Sequence, residues 1–307
     1  MNKVKLSILM ATYNGEKFLQ KQLDSIANQS FKNWDLWISD DGSSDHTLEI
    51  LKKFRERMSA KNPVHLLKGP MRGSDINFWS LILNKNINAD FFAFSDQDDE
   101  WEPNKLEIGI KKISKFKDPF LLFCSRTKII DMNGNSMGFS PAFKNSPSIR
   151  NALVQSIAGG NTMIFCKNLR EELTNISLNN EIVAHDWLIY QIICGLGGRV
   201  YYDLDPLVKY RQHENNLIGS NQSFYARIIR VWKLLNGSFK KWNESNLKIL
   251  NTIKHRFKKE CQEEITHFNN LRVNYMYKIK HIFDIRVYRQ TIAGNIALFI
   301  SIYINKI

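Results

Sequence analysis

Phe91-Phe92-Ala93-Phe94-Ser95-Asp96-Gln97-Asp98-Asp99-Glu100-Trp101 is the stretch on which the reading of the chain turns. A short aromatic, apolar run of this kind predicts a buried strand. It breaks into four acidic residues within five positions, closed by Trp101 and then Pro103. Carboxylates this dense repel one another, so gathering them at a strand end is costly unless a cation sits among them. Asp96 and Asp98 are two apart, and in a locally extended chain both point the same way. Hard oxygen ligands suit Mg²⁺ or Mn²⁺, which keep waters and bind substrate phosphates through one or two carboxylates. The competing reading is a solvated acidic turn that caps the next helix with Asp99 or Glu100. Both stand on this stretch alone.

Working outward, residues 4–11 (VKLSILMA) form a strand-length apolar run that ends in the turn Thr12-Tyr13-Asn14-Gly15. Residues 16–28 carry apolar positions at helical spacing. A second strand over 34–39 ends in Asp40-Asp41-Gly42-Ser43-Ser44-Asp45, where Ser44 or Asp45 suits the N-cap of a helix over 47–58. Strands at 64–67 and 119–125 and helices at 77–88 and 105–116 complete the first half. This alternation predicts an α/β fold with a mostly parallel central sheet. In such sheets ligands bind beyond the carboxyl ends of the strands. Thr12-Tyr13-Asn14, Asp40-Asp41 and Asp96 to Asp99 all fall there. No GxGxxG follows the first strand and no GxxxxGK[ST] occurs, which argues against Rossmann dinucleotide binding and P-loop chemistry. A nucleotide can still be held, through a metal on its diphosphate and through Asp40 accepting from a base N–H.

Beyond residue 128 the alternation is less regular. Gly159-Gly160-Asn161-Thr162 precedes an apolar run over 163–166. A glycine pair permits close backbone approach to a ligand, or simply a bend before a strand. Ala184-His185-Asp186-Trp187 opens an apolar helix over 188–196. Asp186 there is either a helix cap or a general base with an orienting His185 beside it. A strand over 199–202 follows. Past it, His213 sits with Arg211, Gln212, Asn215 and Asn216 in an unusually polar strand exit.

The composition, 43% hydrophobic and 24% charged over 307 residues, is that of a folded globular protein. Cys124, Cys166, Cys194 and Cys261 fit no CxxC or zinc spacing and read as free thiols. No signal-peptide pattern is visible at the N-terminus. Charge is unevenly placed: from Phe224 onward there are 16 Lys and Arg against 5 Asp and Glu, which accounts for +11 of the net +13. Helical, basic segments are expected over 225–235, 247–257 and 271–288. The last apolar run, 292–304, is too short to span a bilayer. Basic faces with aromatic neighbours fit an anionic membrane surface; a helical extension packed on the body, or a homodimer contact, is the other reading. Nucleic acid is disfavoured, because the acidic clusters at the strand ends repel phosphates.

Taken together, these motifs resemble the family 2 glycosyltransferases of the GT-A fold, over about residues 4–220. The resemblance is carried by Ala11-Thr12-Tyr13-Asn14-Gly15, Asp40-Asp41-Gly42-Ser43-Ser44-Asp45, Ser95-Asp96-Gln97-Asp98-Asp99, His185-Asp186-Trp187 and Tyr210-Arg211-Gln212-His213, in this order. The DQDD form, the HDW triplet and the RQHxNNxxG ending are most similar to bacterial rhamnosyltransferases of cell-surface polysaccharide synthesis.

The resemblance implies a catalytic domain over 1–220 and a basic helical extension over 221–307. It implies an inverting, divalent-metal-dependent transfer from dTDP-rhamnose or a UDP-sugar to a saccharide or lipid-linked acceptor, at the inner face of the plasma membrane. Thr12, Tyr13 and Asp40, with Asn14 in the same turn, would hold the nucleoside, and Asp41 would be structural or ribose-facing. Asp96 and Asp98 would be the DxD pair on ribose and metal, and His213 would complete the metal shell. Asp186 would be the catalytic base, and Gly160 would shape the donor and acceptor pocket. Met71-Arg72-Gly73 departs from the family's usual glycine-centred turn, with Arg72 a candidate diphosphate contact.

Overall fold

Strands β1 (Leu6–Thr12) and β2 (Trp34–Asp40) are buried along their whole length, which is why β1 reads as a nearly continuous apolar run, while the buried Asp35 of β2 accepts from Ser7 Oγ of β1. They lie inside a nine-stranded sheet, which also contains β3 (Val64–Lys68), β4 (Phe91–Ser95), β5 (Glu100–Trp101), β6 (Leu121–Ile130), β7 (Ser136–Phe139), β8 (Ile164–Cys166) and β9 (Arg199–Arg211). The strand order is β3-β2-β1-β4-β8-β6-β9-β5, with β7 on β6. This computed structural model describes residues 4–58, 62–176, 182–213, 237–281 and 283–307.

The first four strands in that order are mutually parallel. β8 runs antiparallel to both β4 and β6, and β6 and β9 are again parallel. The sheet is therefore mostly parallel, with β5, β7 and β8 reversed. The helices α1 (Leu19–Ala27) and α2 (Thr47–Met58) pack together, whereas α3 (Ser74–Leu83) meets α6 (Lys167–Thr174) and α7 (His185–Gly195). Right-handed crossovers require this split, because the chain steps one way from β1 to β3 and then back past β1 to β4. The reversal creates a switch point between the carboxyl ends of β1 and β4, the usual ligand crevice of open α/β sheets. Helix α4 (Lys105–Ile113) covers β6 and β9, and the short α5 (Ile149–Ala152) packs on α7.

Several boundaries differ from the sequence expectation. Helix α3 starts at Ser74 and ends at Leu83, rather than spanning 77–88, because Gly73 at φ +88° turns the chain earlier and Asn84 is extended. The strand expected over 199–202 runs on to Arg211 as β9. Its pairing with β6 slips between Ser125↔Asp203 and Thr127↔Val208. Pro206, which lacks an N–H, lies in the bulge.

The C-terminal helices are α8 (Ser238–Ile253), α9 (Lys259–Val273), α10 (Tyr275–Lys280) and α11 (Ile292–Tyr303). The helix expected over 225–235, the 220/221 boundary and the residues Asn215 and Asn216 lie outside the described residues. The single segment expected over 271–288 is interrupted at Asn274, whose side chain accepts from Tyr277 N and caps α10. α8 and α9 bury Leu247, Leu250, Ile265, Phe268 and Leu271. All but Leu271 join the core formed by the sheet. Trp187 stacks on Phe239, Arg256 pairs with Glu172, and Lys258 N donates to Gly195 O. The basic faces of these helices are thus the outer sides of a layer packed on the α/β body.

Candidate active site

Register alone aligns the polar strand ends. Thr12 pairs with Asp40 across β1 and β2, and Met10 pairs with Ser95 across β1 and β4. Asp40 is buried, and its carboxylate accepts from Thr12 Oγ1 (2.9 Å), Ser43 Oγ (2.6 Å), Ser43 N (2.9 Å) and Gly42 N (3.2 Å). Asn14, at φ +46°, receives Ser44 N on its side chain (2.8 Å) and donates its own N–H to Ser43 Oγ (2.9 Å). Asx side chains tolerate this left-handed conformation. Tyr13 is fixed through its backbone. Its N–H donates to Gln97 Oε1 and its carbonyl accepts from Gln97 Nε2, both at 2.9 Å, while its ring is 58% exposed. Gln97 thereby spans the switch point between β1 and β4.

Asp41 is taken up by the backbone. Its carboxylate accepts from Met71 N (2.7 Å), Arg72 N (3.0 Å) and Gly73 N (2.8 Å). The altered turn at Met71-Arg72-Gly73 is therefore a loop wound around Asp41, and it presents Arg72 as an exposed residue beside Asp40-Asp41.

The four acids after β4 separate into two pairs. Asp99 is fully buried and accepts from Asn161 Nδ2 (2.5 Å) and Arg211 N (3.2 Å). Glu100 pairs with the guanidinium of Arg211, which is also fully buried. That guanidinium further donates to the carbonyls of Asp98, Asp131 and Met132, each at 3.1 Å, and lies over the Phe18 ring. Neither Asp99 nor Glu100 caps the following helix: the N-cap of α4 is Asn104, which makes no side-chain cap bond. The solvated-cap reading of this stretch is corrected accordingly.

Asp96 and Asp98 face the site. Asp98 Oδ2 lies 2.8 Å from His213 Nε2, and the His213 ring stacks on Phe18. The Asp96 carboxyl is held well above the usual carboxylate range. Burial is the main cause, followed by the charges of Asp99, Asp98, Asp186 and Asp75. Burial and Asp98 push Asp99 up to about 8. The buried Lys105 Nζ sits over the Trp101 ring at 3.4 Å, held below the ordinary lysine range by burial despite Asp99 and Asp96.

Asp186 lies in the first turn of α7, but Ala184 is the N-cap. Its Oδ1 accepts from Trp187 N (2.5 Å) and its Oδ2 from Gly160 N (3.1 Å). Burial raises its carboxyl, with Asp75 adding to the rise and His185 opposing it. Asp75, on α3, accepts from both His185 N and His185 Nδ1 at 2.8 Å, so it fixes the imidazole next to Asp186. His185 is sandwiched against Phe78, and a Cβ on Gly160 would stand 2.4 Å from His185 Nε2. Gly160 is therefore required by that close approach. The short turn Gly160–Thr162 links the two halves of the site: Gly160 holds Asp186, and Asn161 holds Asp99.

Every candidate residue thus lies at the carboxyl edge of the sheet or on loops tied to it. Asp98 and His213 touch, while Asp96 stands apart from them. Among the described residues, the trio of His, Cys, Asp or Glu with ligand atoms within 4.8 Å of one another is His267, His281 and Asp284 in the C-terminal helices. That trio is closed on itself: His267 bonds Tyr277 Oη and Asp284 O, and Arg286 holds the Asp284 carboxylate. Sequence reading missed Phe18, Asp75, Gln97, Asn161 and Arg211 as organisers. The legible signals were Gln97 inside the acidic run and Arg211 beside His213.

Residues 7–171 match Glycosyl transferase family 2. The chain is 30% identical over 247 residues to the dTDP-rhamnosyl transferase RfbG of Shigella flexneri, covering 76% of this chain and 81% of that one. Among solved structures it resembles S. aureus TarS 1-349 in complex with UDP-GlcNAc (TM-score 0.57, 19% identity, 98% of this chain and 89% of that one). It also resembles the mannosyltransferase PcManGT from Pyrobaculum calidifontis in complex with GDP-Man and Mn2+ (TM-score 0.54, 13% identity, 100% and 88%). These likenesses identify the architecture as the GT-A fold. With more than half of its length matched and a 30%-identical relative spanning three quarters of it, the chain belongs to glycosyl transferase family 2.

Proposed function

We propose that this glycosyltransferase is inverting and divalent-metal-dependent, and that it moves rhamnose from dTDP-rhamnose to a saccharide or lipid-linked acceptor of a cell-surface polysaccharide. The observation that supports the mechanism is that one short turn ties the acidic run after β4 to Asp186: Asn161 Nδ2 donates to Asp99 Oδ2 (2.5 Å) and Gly160 N donates to Asp186 Oδ2 (3.1 Å). The run belongs to the proposed donor-phosphate side and Asp186 to the acceptor side. The rhamnosyl assignment rests on the similarity to the Shigella protein.

The residues present suit a divalent cation. Two aspartates are hard oxygen ligands of the kind Mg²⁺ or Mn²⁺ takes, and the ionised form of Asp96 is opposed by burial and by four neighbouring aspartates. Asp96, Asp98 and His213 would hold the ion, which when bound offsets the charge of the leaving nucleoside diphosphate. Thr12, Asn14 and Asp40 would hold the nucleoside, with the exposed Tyr13 ring stacking on its base. Asp41 would act through the loop it anchors, setting Arg72 toward the diphosphate. Asp186 would accept the acceptor hydroxyl's proton as that oxygen attacks. Its raised carboxyl makes it a stronger base than an exposed aspartate. A single displacement inverts the anomeric carbon, by the stereochemical logic of inverting glycosidases.

The test is a binding and turnover screen of nucleoside diphosphate sugars with and without Mn²⁺. Manganese-dependent preference for dTDP-rhamnose is the expected result. Preference for a UDP-sugar would overturn the rhamnosyl assignment, and metal-independent turnover would overturn the role given to Asp98 and His213.

A further inference from the structure

Helix α11 (Ile292–Tyr303) contains no charged residue, and Leu298, Ser301 and Ile302 are its buried positions. Away from that seam, Ile292, Ile296, Phe299, Ile300 and Tyr303 recur at helical spacing and are between 46% and 83% exposed. A bond from Lys278 Nζ to Asn305 Oδ1 draws α10 to the end of α11, and α10 adds Met276 and Ile279, both more than half exposed. Phe283 is wholly exposed on the connecting loop. That loop is held in place, because His267 Nε2 lies 2.8 Å from Asp284 O and Arg286 grips the Asp284 carboxylate.

Isolated exposed apolar residues need no explanation, but five along one face of an uncharged helix, with two more on a helix bonded to its end, mark an interaction surface. Its surroundings select the partner. The chain from Phe224 onward carries 16 Lys and Arg against 5 Asp and Glu, and Lys240, Lys241, Lys248, Lys259 and Lys280 are exposed. A second copy docked face to face would bring one basic surface against another. An anionic bilayer complements both the charge and the apolar stripe. At 12 residues the helix extends about 18 Å, against a hydrocarbon core of about 30 Å, so it lies in the interface rather than crossing it. No helix among the described residues is long and apolar enough to cross a membrane.

We propose that the exposed face of α10, Phe283 and α11 seats on an anionic lipid bilayer, with the apolar side chains entering the headgroup boundary. The packed helices α8 and α9 supply charge but keep their apolar sides in the protein core. This surface lies outside the proposed catalytic residues, so its test reads binding alone.

The full chain is sedimented with vesicles of phosphatidylglycerol and phosphatidylcholine, and with phosphatidylcholine alone. Binding to the anionic vesicles is expected. Phe283→Ser combined with Ile296→Ser should lower the partition coefficient about tenfold or more, since each is a large apolar side chain returned to water. Because both side chains are mostly exposed, the thermal midpoint should not move. Lys240→Gln with Lys241→Gln should weaken binding at low salt and have little effect at high salt. Binding that the serine variant leaves intact would overturn the proposal. So would a vesicle-inert wild type whose dimer the serine variant converts to monomer, since a second copy would then be the occupant.

Discussion

Two acidic clusters flank β1, and the fold treats them in opposite ways. Asp40 and Asp41, at the end of β2, meet seven hydrogen-bond contacts from Thr12, Gly42, Ser43 and the 71–73 loop. Asp96 to Asp99, at the end of β4, are only partly answered. Asp99 has Asn161 and Arg211 N, and Asp98 has His213, but among the described residues no donor reaches the Asp96 carboxylate. Both clusters look alike in the sequence, as aspartates after an apolar run. In the first, both carboxylates are bonded into the loops around them, Asp41 wholly through backbone N–H groups. The other leaves the Asp96 carboxyl without a donor among the described residues, and the proposed metal role rests on that.

This contrast can be broken most directly at the proposed base and the proposed metal ligands. Asp186→Asn should lower kcat by about 10³-fold while donor affinity changes little, because the proton acceptor is lost but the donor side is not. In the wild type, kcat/KM should fall on the acid side with a midpoint above the usual aspartate range. The base works deprotonated and burial raises its carboxyl, so activity is lost as pH drops through that raised value. Asp98→Asn should remove the Mn²⁺ dependence of donor binding and most of the turnover, with the circular dichroism spectrum unchanged. Wild-type activity in either variant would sink the role assigned to that residue.

A scaffold aspartate should fail differently. Asp41→Ala leaves three backbone N–H groups without their acceptor, so a stability loss of about 2–4 kcal/mol in urea unfolding is expected. If Asp41→Ala instead kept its stability and lost only activity, the contrast between the clusters would be wrong.

The next effect is smaller and depends on pH. Burial and Asp98 hold Asp99 at about 8, so the folded protein keeps a proton that an unfolded aspartate releases near a pH of about 4. The stability tied to this proton is complete below that lower value and is lost as pH rises toward 8. Asp99→Asn cannot ionise. Without divalent metal, its melting temperature relative to wild type should therefore improve from pH 5 to pH 8. A pH-independent difference would show that Arg211 and Asn161 already keep Asp99 ionised. The smallest effect is expected at Tyr13→Ala, where loss of a stacking ring should raise donor KM about tenfold without affecting stability.

The C-terminal helices offer a second lesson in legibility. Their positive charge is countable from composition, and it drew attention to 247–257 as a membrane face. In the folded chain that segment contributes Leu247, Leu250, Ile253 and Phe257 to the core instead. The exposed apolar surface lies further on, along α10 and α11. Periodicity shows that a helix has an apolar side, but not whether the protein or another surface covers it.

The sequence by itself determined the α/β class, the mostly parallel sheet, the strand-end positions of Thr12, Asp40 and Asp96, and the motif order that signals the family. These follow from local patterns, namely apolar runs of strand length, turn residues and the spacing of polar groups. Only the tertiary structure decided which aspartates are consumed and which remain available. It also brought Asp75 to His185, Asn161 to Asp99 and Arg211 to Glu100, across 110, 62 and 111 residues of chain. A carboxylate's role depends on the donors and charges within a few ångströms of it, and in this fold those arrive from distant strands.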